Sequence, residues 1–169
     1  MGKIKRRNAS LFSTFLVVIV LAVYSFFSTD GDLSGENFPL QITFIDVGQG
    51  DSILVQSGDS TMLIDAGTTS SADAIISELQ KNKIKKIDIL IGTHPHEDHI
   101  GSLDTVIQKF DIGRVYMPQA VATTKAYEDV LTAIKDKGLT VSKPVAGSSI
   151  KLGDAECIFL APNSSKYED

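Results

Sequence analysis

A chain of 169 residues, 43% of them apolar and 22% charged, has the material for one buried core, which excludes a disordered polymer. Lys3, Lys5, Arg6 and Arg7 precede the first apolar run, so the remainder carries 12 basic against 21 acidic residues, a net of −9 unlike a basic nucleic-acid clamp. Cys157 is the sole cysteine, which excludes an internal disulfide and a thiolate metal cluster; its expected role is a small buried apolar residue near a strand.

Leu11 to Phe27 is free of charge and, as a helix, spans about 26 Å, the thickness of a thin bilayer. The four cations before it are expected to stay in the cytoplasm and send the rest outward. Residues 1–28 therefore read as a basic stub plus transmembrane anchor. A cleaved signal peptide shares this layout, although Val23-Tyr24-Ser25 is the one weak cleavage site on offer. Residues 29–38 are rich in turn formers and acids and read as a linker, with a folded domain over 39–169. Leu40 to Val47, Ser52 to Gln56 and Thr61 to Ile64 are separated by turn-rich stretches and predict an antiparallel meander.

Beyond Asp65 the apolar period lengthens. Ile75, Ile76 and Leu79 share a helical face behind possible caps at Ser70 and Ser71, and Ile84 to Ile91 leads into a strand. Leu103, Val106, Ile107 and Phe110 fall at helical spacing. Val115 to Met117 predicts a short strand closed by Pro118, and Tyr127, Val130, Leu131 and Ile134 predict a helix that Gly138 ends. Val141 to Ile150 and Glu156 to Leu160 read as further strands, and the alternation predicts an α/β layered fold.

All three histidines lie in Thr93-His94-Pro95-His96-Glu97-Asp98-His99, directly after the strand that ends at Ile91. Imidazole and carboxylate are the usual donors for zinc and similar divalent ions. In an irregular loop, alternate residues His94 and His96 can converge on one ion while Asp98 and His99 turn toward a second. Two ions sharing a water lower its pKa and hold substrate oxygens. Glu97 is expected to face solvent or to support a ligand, Thr93 to bond backbone groups, and Ile100-Gly101 to open a helix whose positive end faces the site.

The His-x-His-x-Asp-His pattern of His94, His96, Asp98 and His99 resembles the signature of the metallo-β-lactamase superfamily. Three more stretches narrow the resemblance: the run from Phe44 to Val55 containing Asp46-Val47-Gly48-Gln49-Gly50-Asp51-Ser52, then Leu63-Ile64-Asp65-Ala66-Gly67, then Phe159-Leu160-Ala161-Pro162-Asn163. In this order they resemble the extracytoplasmic domain of ComEC-type DNA-uptake proteins and their stand-alone relatives. The resemblance implies an αββα sandwich with metals at one edge of two packed sheets. It makes His94, His96, Asp98 and His99 metal ligands, with hydrolysis depending on Asp98, and makes Asp46, Asp51 and Asp65 supporting residues, which the sequence alone reads as turn residues. It also implies two divalent ions, zinc first, with manganese or iron accepted by the same donors.

The family completes its site with later residues, yet no histidine follows His99, and Asp154 precedes Leu160-Ala161-Pro162 where the family's aspartate comes after it. The chain is therefore expected to be a fragment ending near the middle of the fold, with an apolar sheet face exposed. The leading expectation is a membrane-anchored or secreted metallo-hydrolase acting on DNA or another phosphodiester. The alternative is a non-catalytic accessory or binding domain. A β-lactam-hydrolysing enzyme fits the histidine signature but not the Asp46 to Ser52 motif.

Overall fold

The computed structural model describes residues 40–119 and 122–163, all within the second of the chain's two units, Met1–Glu36 and Asn37–Asp169. The predicted anchor lies outside the described residues; among those, no helix is long and apolar enough to cross a membrane.

The meander is present: β1 (Gln41–Phe44), β2 (Ile53–Ser57) and β3 (Ser60–Ile64) pair antiparallel. A 3-10 turn, Thr69–Ser71, leads into α1 (Ala72–Lys81), capped at Ser71 without a side-chain hydrogen bond. β4 (Lys86–Ile91) then joins β3 in parallel, because the helix carries the chain back to the same end of the sheet. α2 (Glu97–Ile100) and α3 (Leu103–Lys109) connect β4 to the parallel β5 (Asp111–Tyr116), and α4 (Lys125–Asp136) connects β5 to β6 (Val141–Ser142). The sheet order is β1-β2-β3-β4-β5-β6.

The register stacks Leu54, Leu63, Leu90 and Val115 side by side across four strands. With Ile75, Leu79, Val106, Ile107, Val130 and Ile134 of the helices they form the larger core. The helical spacings read from the sequence are the spacings that bury these side chains. The opposite sheet face carries Val55, Met62, Ile89 and Tyr116. A two-stranded antiparallel hairpin, β7 (Ser149–Leu152) and β8 (Ala155–Ile158), covers part of it through Leu152, and the rings of Phe159 and Tyr116 stand 5.1 Å apart. Cys157 is half-buried against this cluster. The expected open face persists at the β1 edge, where Ile42 is 51% and Phe44 77% exposed.

Three boundaries differ from expectation. Val141 to Ile150 is two strands in two sheets, because Pro144 has no N–H for a ladder and Gly147 turns at φ +81°. The strand expected at Val115 begins at Asp111, since parallel pairing with Lys86 and Ile87 overrides the weak strand preference of Asp111 and Gly113. Glu156 to Leu160 stops pairing at Ile158.

Candidate metal centre

β3 and β4 are parallel neighbours with Ile64 opposite Ile91, so the residues that follow each strand emerge together at one end of the sheet. Loops at the carboxyl ends of parallel strands are the usual place for a site. Asp65 follows β3; Gly92 to His96 follow β4. Asp98 and His99 are helical, in the four-residue α2, a correction to the expectation of a wholly irregular loop. The helix expected to open at Ile100-Gly101 accordingly starts earlier, at Glu97, and a second begins at Leu103.

Asp65 is 2% exposed and holds φ +58°, a conformation that Asp and Asn tolerate better than other side chains. One carboxylate oxygen accepts the Thr93 backbone N–H at 2.7 Å; the other accepts the Thr93 hydroxyl and lies 2.9 Å from His99 Nδ1. A carboxylate on Nδ1 places the proton there and leaves Nε2 as the free lone pair, the arrangement that readies a histidine for a metal. Thr93 was expected to bond backbone groups; its hydroxyl instead bonds Asp65, a partner 28 residues away.

On the free side of His99, its Nε2 lies 3.9 Å from an Asp98 carboxylate oxygen, and its ring centroid lies 3.8 Å from that of His94. His94, Asp98 and His99 each bring a ligand atom within 4.8 Å of the others, close enough for a divalent metal to be held among them. A second such group is Asp51, Asp65 and His99. Asp65 already spends its oxygens on Thr93 and His99, so it fits a supporting role better than a ligand's. The His96 ring stands edge-on to His94 at 4.9 Å and is exposed, outside both groups. Burial pushes the His94 imidazole below its ordinary value, the nearby His99 and His96 push the same way, and together they outweigh the opposing pull of Asp65 and Asp98. The imidazole therefore sheds its proton readily and presents the neutral form that metals require.

Neighbouring loops are laced to this set. Asp51 Oδ2 lies 3.6 Å from His99 Nδ1, and its carbonyl accepts the Gly67 N–H at 2.9 Å. Ala66 N–H donates to the His99 carbonyl at 2.7 Å and Gly101 N–H to the Gly67 carbonyl at 2.8 Å. Glu97 receives the Thr69 N–H at 2.7 Å, so it ties α2 to the 3-10 turn. Asp46 is different: its carboxylate accepts the Gly48 N–H at 3.1 Å and shapes its own turn. Gly50 passes so close to the Asp98 carbonyl that a Cβ there would sit 1.7 Å from its oxygen. Sequence reasoning missed the Glu97 tie and the Gly50 contact, because nothing in periodicity or composition links positions 28 or 48 residues apart.

The fold agrees with that of solved structures, and the sequence with that of known proteins. ComE operon protein 3 of Bacillus subtilis is 26% identical over 166 residues, 88% of this chain and 20% of that protein. Competence protein ComA of Neisseria gonorrhoeae is 33% identical over 79 residues, 46% of this chain and 11% of that protein. Among solved structures, the metallo-β-lactamase GOB-18 of Elizabethkingia meningoseptica is 24% identical with a TM-score of 0.52, matching 72% of this chain and 50% of its own. A motif mutant of the Cronobacter sakazakii metallo-β-lactamase is 17% identical with a TM-score of 0.53, matching 72% and 52%. The chain thus spans about half the length of these structures and a fifth or less of these two curated relatives. The sequence profile described as the Metallo-beta-lactamase superfamily matches residues 45–158, which include every site residue named above, and the chain belongs to that superfamily.

Proposed function

We propose that this chain is part of a membrane-anchored or secreted metal-dependent hydrolase that cleaves a phosphodiester, in the setting of DNA uptake. The observation that carries the reading is the convergence of His94, Asp98 and His99, with His99 held from behind by the buried Asp65. Two ions would be held, one by His94 and His96 and the other by Asp98 and His99. Support comes from His94, whose ring neighbours both His96 and His99. Zinc suits the imidazole and carboxylate donors, and manganese or iron are accepted by the same set. Such ions supply Lewis-acid activation of a water and of phosphoryl oxygens. The protein orients the donors: Asp65 fixes the His99 tautomer, Thr93 holds Asp65, and Glu97 and Gly50 fix the helix that carries Asp98.

The names of the two curated relatives support the link to competence, and the DNA substrate follows from it. Residues 1–28 serve as anchor or signal, 29–38 as tether, and the hydrolase domain faces outward. The test is cleavage of bis(p-nitrophenyl) phosphate by the zinc- or manganese-loaded full chain beside Asp98→Ala. Metal-dependent turnover lost in the variant supports the reading; turnover unchanged by Asp98→Ala overturns it. A non-catalytic accessory domain is the second reading, favoured by the exposed apolar strip of Ile42 and Phe44, and metal uptake without turnover identifies it.

A further inference from the structure

In an acidic chain, three basic side chains from three strands line one cleft that runs from the start of β4 to its middle. Its volume is about 310 Å³, and Lys86, Arg114 and Lys151 line it, with Ser60 at the rim and Ile89 and Leu152 buried beneath. Lys86 and Ser60 are the first residues of β4 and β3, whereas the metal centre follows the last. Lys86 therefore stands about 17 Å along the strand from Ile91, whereas Arg114 lies opposite Ile89, about 7 Å from that end.

Asp88 is the one acid lining the cleft, and it is already committed: it accepts Lys86 Nζ at 2.7 Å and the Thr61 N–H at 3.0 Å. Arg114 donates to the Tyr116 hydroxyl at 3.2 Å, and among the described residues neither Arg114 nor Lys151 has a carboxylate partner. The two uncompensated cations, Arg114 and Lys151, repel one another in a concave cleft and focus their field on whatever enters. An anion relieves the repulsion, and the guanidinium fork matches two phosphate oxygens.

We propose that this cleft binds a backbone phosphate of a single nucleic-acid strand, with Arg114 as the forked donor and Lys151 as a point charge, while Lys86 stays paired with Asp88. The proposal rests on the phosphodiester reading of the substrate and supplies the positive surface that the overall charge lacks. The test is binding of a labelled single-stranded oligonucleotide to the full chain in chelator, where no hydrolysis intervenes. Arg114→Gln/Lys151→Gln alters two exposed side chains, so far-UV circular dichroism should match the parent. The expected result is at least tenfold weaker binding, with the slope of log affinity against log salt reduced by about 0.7 for the one lost phosphate contact. Lys135→Gln, an exposed cation on α4, should bind as the parent does. Inorganic phosphate should compete at millimolar concentration; if it binds as tightly as the oligonucleotide, the phosphate site stands but the strand does not. The proposal is overturned if the double variant binds both probes like the parent, or if the parent binds neither. Failure of the hydrolase reading looks different: oligonucleotide binding persists while metal-dependent cleavage is absent.

Discussion

Replacing Asp65 is the sharpest probe of how the centre is built. Asp65→Ala removes a buried acceptor of three hydrogen bonds, from the Thr93 N–H, the Thr93 hydroxyl and His99 Nδ1. Hydrogen bonds to a charged group contribute about 1.5–3 kcal/mol each. Thr93 is exposed and can turn to water, so its share is recovered in part, which leaves a net cost of about 3 kcal/mol. That is a sizeable part of the roughly 5–15 kcal/mol that holds a domain together. Asp65→Asn separates charge from shape: asparagine tolerates the left-handed backbone at φ +58° and keeps one acceptor, so about half the loss is expected. Urea unfolding followed by circular dichroism reads the shift in midpoint at constant slope. The same asparagine should weaken zinc binding about 10- to 100-fold, because the His99 tautomer is no longer fixed. An Asp65→Asn chain with parental stability and parental zinc affinity would refute the reasoning.

Other expectations follow from the same geometry. Gly50→Ala drives a Cβ into the Asp98 carbonyl at φ +88° and should cost several kcal/mol, about 3 or more, in urea unfolding, together with metal uptake. Gly58→Ala, with φ +54° but open space around it, should cost only about 1 kcal/mol and spare the metal. Glu97→Ala should lower stability by about 1 kcal/mol in the same assay, through the lost Thr69 bond, while Glu97→Gln keeps most of it. The Asp88 carboxyl sits below its ordinary value of 3.8: burial, the largest single influence, raises it, but the bonds from Lys86 and from the Thr61 N–H together outweigh burial. A depressed carboxylate contributes stability that is complete above the ordinary value and is lost as pH falls through the folded one. Acid unfolding of Asp88→Asn below about pH 4 should therefore be shallower than the parent's, and a parental acid limb would contradict the assignment.

Much of this was legible in the sequence where one local rule decided the outcome. Leu103, Val106 and Ile107 announce α3 because the helical period and the buried face coincide. The histidines announce the centre because three imidazoles and a carboxylate in six positions have few other uses. Legibility ended where distant residues decide. α2 has four residues, too short for a period, and is fixed by ties from Glu97 to Thr69 and from Gly101 to Gly67. Asp65 reads as a turn former, and its work with Thr93 and His99 exists only once β3 and β4 lie side by side. β4 also hides a break in alternation: Ile87 and Leu90, three apart, both face the helices, while Asp88 turns away to Lys86 and Thr61. The basic cleft is invisible for the same reason, its three cations lying 28 and 37 residues apart along the chain.

The most direct test of the account is equilibrium dialysis of the full chain against zinc, with metal content read by mass spectrometry for the parent, His94→Ala, Asp98→Asn and, as a control, Asp46→Asn. The account predicts bound zinc in the parent and in Asp46→Asn, with little or none in the other two. Zinc retained equally by all four chains, or bound by none, would contradict the claim that His94, Asp98 and His99 form a metal centre.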